Sequence, residues 1–89
     1  MVDRKLQMHY SDAPQDMQIA AIEFAAGFIE KKSTSLEIAK ELKKDFEKRY
    51  FGSWHCIVGN NFGAFVSNEE GRVIYFTYGQ ISILLFKAG

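Results

Sequence analysis

The sequence predicts an α+β domain, two helices packed on one face of an antiparallel sheet. Two observations carry that reading. Apolar residues recur twice at helical spacing in the first half of the chain, and short aromatic and β-branched runs parted by turn signals fill the second. With 89 residues the chain is a single domain over 1–89, near the size where one core is only just sufficient.

Leu6, Met8 and Tyr10 alternate with Gln7 and His9, as in a short strand. Ser11-Asp12-Ala13-Pro14 reads as a turn into a helix, with the proline in the first turn, where a missing N–H costs least. Met17, Ala21, Phe24 and Phe28 then recur at helical spacing, and Ile22, Ala25 and Ile29 widen the stripe. Lys31-Lys32-Ser33 closes that helix. Thr34-Ser35-Leu36-Glu37 opens the next with capping-box spacing. Ile38, Ala39, Leu42 and Phe46 form its buried stripe, and the opposite face mixes Lys40, Lys44 and Lys48 with Glu41 and Asp45. Tyr50-Phe51-Gly52 ends it, with Gly52 as a left-handed cap.

Four strands are predicted after the helices. Trp54 to Val58 and Phe62 to Ser67 flank a Gly59-Asn60-Asn61 turn, and Asn68-Glu69-Glu70-Gly71 is a second turn. Arg72 to Tyr78 and Ile81 to Lys87 are joined by Gly79-Gln80, and glycine in the first central position suits a type II′ hairpin. Neither strand around Gly59 has a properly polar face, and the last strand is apolar in both phases. Two helices cover one sheet face only. Ile57, Phe65, Ser82 and Leu84, in whichever phase points away, leave a large apolar surface that monomers rarely expose. A second copy of the chain, sheet facing sheet about a twofold axis, is the economical cover.

Eleven basic residues balance eleven acidic ones, so no global field recruits nucleic acid or an anionic membrane. No apolar run approaches the roughly 18 residues of a membrane span, and the charged start, Met1 to Lys5, leads into no signal-like apolar stretch. His55 and Cys56 are adjacent, which puts them on opposite faces of a strand and rules out a thiolate–imidazolium couple. His9, His55 and one cysteine do not approach a metal spacing, and no phosphate-loop or dinucleotide fingerprint is present. Catalytic residues, metal and cofactor are therefore all expected to be absent. Exposed aromatics such as Phe62, Tyr75 or Tyr78 could stack on single-stranded bases, but Arg72 is the only Lys or Arg between Phe51 and Phe86. What remains is a binding module with open sheet edges that accept an extended peptide as an added strand.

Trp54-His55-Cys56-Ile57-Val58-Gly59, Asn61-Phe62-Gly63, Ile74-Tyr75-Phe76, Gly79-Gln80 and Ile83 to Lys87 carry a further likeness. Together with Asp3-Arg4-Lys5, Met17-Gln18 and Lys43-Lys44, they make the whole chain resemble the small (eight-kilodalton) cytoplasmic dynein light chain family. The resemblance implies a homodimer in which the strand around Phe62 to Ser67 crosses into the partner's sheet. It implies two symmetric interface grooves where short disordered motifs, including one of dynein intermediate chain, add as antiparallel strands. No cofactor or catalysis is implied, and the implied location is cytoplasmic, cytoskeleton-associated or axonemal.

By position, Asn61, Phe62, Gly63, Ala64, Phe65, Val66 and Ser67 offer their backbone to the peptide, while Tyr75, Ser82 and Leu84 help form the groove floor. His55, Ile57, Phe62, Phe65 and Ser67 fall at the implied dimer interface. Ser35 and Leu36 stand where the family usually has an acidic–basic pair that caps the motif's glutamine. His9, Tyr10, Asn68, Val73 and Thr77 also depart from the usual groove-lining types. A divergent paralogue with its own, dynein-independent partners is the alternative reading, and a single-stranded nucleic acid binder the remote one.

Overall fold

A computed structural model of the chain describes residues 6–60, 62–63 and 72–88. Strand β1 (Leu6–Ser11) leads into helices α1 (Gln15–Glu30) and α2 (Ser35–Arg49), and strands β2 (Ser53–Asn60), β3 (Val73–Tyr78) and β4 (Ile81–Ala88) follow. All neighbouring strands are antiparallel, in the order β1-β3-β4-β2. The predicted α+β class and the single helical layer are what the chain adopts.

Local chemistry sets the element ends. Pro14 is not in the first turn of α1 but precedes it as the N-cap, where its carbonyl accepts from Met17 N and Gln18 N, each at 3.1 Å. The α1–α2 turn places Lys32 at φ 61°, a left-handed backbone that usually falls to glycine. The predicted capping box is formed: Glu37 N donates to Thr34 Oγ1 at 3.1 Å, and Thr34 N donates to Glu37 Oε1 at 2.8 Å. Gly52 has a positive φ of 108°, but it lies beyond the C-cap, Tyr50, whose backbone is already extended. Gly79 takes φ 67° while Gln80 stays negative, which is the signature of the expected type II′ hairpin.

Met17, Ala21, Ala25 and Ile29 of α1 and Ile38, Leu42 and Phe46 of α2 pack on Trp54, Ile74, Phe76, Ile83 and Leu85 of the sheet. Trp54 is wholly buried, its ring edge-on to Phe46 at 5.0 Å, with Nε1 donating to Tyr50 O at 2.8 Å. Glu47 secures the same corner by accepting from Lys43 Nζ at 2.6 Å and from Trp54 N at 3.0 Å. Those two hydrogen bonds, the lysine's first, hold the Glu47 carboxyl below its ordinary 4.5. A group depressed in the folded state stabilises above its unfolded value and loses that contribution as pH falls through the folded one. The expected outcome is that urea midpoints fall on acidification below 4.5 in the wild type, and that Glu47→Gln removes part of that fall. Superimposable acid limbs for the two proteins would contradict it.

Three expectations need correction. Gly59 and Asn60 are not turn residues; they extend β2 and pair with Ser82 and Ile81 of β4. The predicted strand from Phe62 to Ser67 is not seen where it is described: Phe62 and Gly63 are irregular, and 64–67 lie outside the described residues, as does the Asn68 to Gly71 turn. Tyr10 does not share a face with Leu6 and Met8. The pairing shifts between Met8 and Tyr10, so Met8 opposes Phe76 on the helix side while Tyr10 opposes Tyr75 on the other. This bulge is the kind of irregularity that edge strands favour.

Candidate interaction face of the sheet

The sheet face turned away from the helices is organised in rows across the strands, because directly opposed residues point the same way. Gln7, Thr77, Ser82 and Gly59 form a polar row. Tyr10, Tyr75, Leu84 and Ile57 form an apolar one beside it. Val73, Phe86 and His55 make the third. At the edge, Ile57 remains 49% exposed and Tyr10 52% exposed, although Leu84 is 3% exposed. The second row is thus a greasy strip open at both ends.

Aromatic rings stand over it. Phe62 stacks on Tyr75 with centroids 5.9 Å apart, and the Tyr75 hydroxyl donates to Phe62 O at 2.6 Å. Phe62 also lies over Gly59, where a Cβ would meet its ring at 3.5 Å, an ordinary van der Waals distance. His9 leans on Tyr75 from the β1 side at 4.8 Å, and His55 stacks on Phe86 at 5.4 Å. His9 Nε2 is 2.5 Å from Thr77 Oγ1, which is 3.4 Å from Ser82 Oγ.

His9, Phe62, Tyr75, Thr77, Ser82 and Leu84 are therefore brought together, with Gly63 next to Phe62 and with Ile57 and His55 on the same face. Ser35 and Leu36 are not: they open α2 in the helical layer, Leu36 76% exposed, and among the described residues no hydrogen bond, ion pair or ring contact joins them to this face. Asn61, Ala64, Phe65, Val66, Ser67 and Asn68 lie outside the described residues. Phe86 was not singled out from the sequence, though its alternation with Ser82 and Leu84 was the available signal.

Cys56 opposes the buried Leu85 and faces the helices, whereas His55 opposes Phe86 on the outer face, so the pair is divided as expected. Burial pushes the Cys56 thiol from 9.0 up to about 12, which lowers its thiolate fraction near pH 8 about a thousandfold. Native protein is accordingly expected to react with iodoacetamide at pH 8 far more slowly than protein in concentrated guanidinium, as followed by mass spectrometry. Equal rates would show the thiol to be accessible and active. Among the described residues, no group of three or more His, Cys, Asp or Glu is placed to hold a metal ion, and no helix is long and apolar enough to cross a membrane.

The family model described as Dynein light chain type 1 matches residues 5–88 of this chain. The chain belongs to the dynein light chain family. A curated dynein light chain of Schistosoma mansoni is 43% identical over 89 residues, covering all of both chains. Two solved structures of the dynein light chain-like domain of a Fasciola hepatica calcium-binding protein share the fold. The native form gives a TM-score of 0.84 at 16% identity, covering 98% of this chain and 94% of that one. The mercury derivative gives 0.79 at 17%, covering 94% and 92%. The dynein light chain fold is thus shared where little sequence is.

Proposed function

We propose that this dynein light chain family member is a non-catalytic homodimeric hub. It binds short linear motifs as an added β-strand in two symmetric interface grooves, brings the partners together in pairs, and serves as a light chain of a dynein motor complex on microtubules. The observation that carries this is the outer sheet face: a row of Tyr10, Tyr75, Leu84 and Ile57 that the helices leave uncovered. Among the described residues β2 is paired on one side only, with β4, which leaves its outer edge for the strand exchanged from the partner copy. In this reading Asn61 to Asn68 supply the peptide-facing backbone and the exchanged strand, Tyr75, Thr77, Ser82 and Leu84 the floor, and His9 its rim. His55, Ile57, Phe62, Phe65 and Ser67 meet the partner copy.

A second reading, a dimerisation module acting outside the motor, is favoured by Ser35 and Leu36, which offer no carboxylate or ammonium at the start of α2. One experiment separates the two. A synthetic peptide carrying the glutamine-centred motif of dynein intermediate chain is titrated into the protein by calorimetry, with sedimentation run in parallel. The motor reading expects saturable binding at two peptides per dimer. A dimer that ignores this peptide yet retains other extended peptides supports the second reading, and a chain that binds no peptide ends both.

A further inference from the structure

Resting on the reading of the outer face as a motif-binding surface, we infer that His9 offers a ring N–H to the bound strand and that the motif answers it with a side-chain carboxylate. The inference starts from two buried hydroxyls. Ser82 is 1% exposed and Thr77 9% exposed, and among the described residues their hydroxyls find only each other and His9 Nε2 as hydrogen-bond partners. Each hydroxyl carries one proton, and a buried O–H without an acceptor is costly.

Two polarities are open to the chain. If Nε2–H donates to Thr77, then Thr77 donates to Ser82, and the Ser82 proton is left with no acceptor. If Ser82 donates to Thr77 and Thr77 donates to Nε2, every buried proton is used. The second polarity makes Nε2 an acceptor, so the neutral ring carries its proton on Nδ1.

That Nδ1–H belongs to an exposed residue, and a tilted contact with the Tyr75 ring at 4.8 Å, together with the bond that Nε2 accepts from Thr77, holds the ring that bears it. Among the described residues no other hydrogen bond or ion pair engages it. The nearest acid along β1, Asp12, is occupied elsewhere, with Oδ1 accepting from Val73 N at 2.9 Å. The open valence is thus a donor, and a carboxylate answers it with a charge-assisted bond roughly twice as strong as that of an amide or hydroxyl. Outward residues of an added strand are two positions apart, roughly 6.6–6.8 Å. An acid over the polar row therefore goes with an apolar residue two positions along, over Tyr75 and Leu84.

The test has two readouts on the full chain. Nitrogen-15 NMR of the His9 ring is expected to show the Nδ1–H tautomer, with Thr77→Val or Ser82→Ala shifting it toward the Nε2–H form. A positional-scanning library of decapeptides is then used to obtain binders, compared as glutamate and glutamine pairs. At the position over His9, glutamate should bind about tenfold tighter than glutamine. His9→Leu should reduce the difference to less than about twofold. An Nε2–H tautomer in the wild type, or equal binding of the paired peptides, overturns the inference while leaving the motif-binding reading intact. A library with no binders overturns that reading and the inference with it.

Discussion

Replacing Trp54 by alanine is expected to destabilise the chain by about 3–5 kcal/mol, much of the roughly 5–15 that a domain of this kind has. Trp54 is completely buried at the corner where α2 turns into β2, against Phe46, and its Nε1 holds the Tyr50 carbonyl. Truncation leaves a cavity and removes the donor that the carbonyl relies on. Trp54→Phe keeps a ring and loses the N–H, so it should cost clearly less. The measurement is the urea midpoint at one fixed protein concentration, because unfolding coupled to association depends on concentration. A loss below about 1.5 kcal/mol for Trp54→Ala would show that the corner is not the anchor of the core.

A lysine at Ile57 is expected to turn the proposed dimer into a stable monomer. Ile57 is 49% exposed on the single chain, so its replacement costs the monomer little. In a sheet-to-sheet dimer the same side chain meets the partner, and an unpaired ammonium buried there costs about 3 kcal/mol or more, over a hundredfold in dissociation constant. Sedimentation should move from twice 10.2 kDa to that mass, with cooperative melting retained. An Ile57→Lys protein that dimerises as tightly as the wild type would remove the outer face as the interface.

Sequence reasoning reached features whose cause is local. The Thr34–Glu37 box, the two helical stripes and the Gly79-Gln80 turn each depend on residues within a few positions of one another, and all three formed. It failed where the cause was distant. Gly59-Asn60 has turn composition, but β4 pairs with it and Phe62 packs over the glycine, which makes it strand. The bulge that turns Tyr10 outward is set by register against β3, to which no residue near Tyr10 gives a clue. His9 illustrates the same limit at the site. Alternation placed it on a face, but its hydroxyl partner lies 68 positions away in the chain.

The strand order also constrains when the molecule can fold. Among the described residues β3 and β4, joined by the Gly79-Gln80 turn, are the two inner strands, and β1 and β2 attach only to them. The inner pair follows β1, both helices and β2 along the chain, which is synthesised at roughly 5–20 residues per second. Until it emerges from the ribosome, β1, both helices and β2 have no sheet to join. Contacts of such long sequence separation are slow to form, since loop closure must precede them. The nascent chain therefore waits with its helix stripes and Trp54 uncovered, a substrate for holding chaperones, until the β3–β4 hairpin closes and recruits both edges.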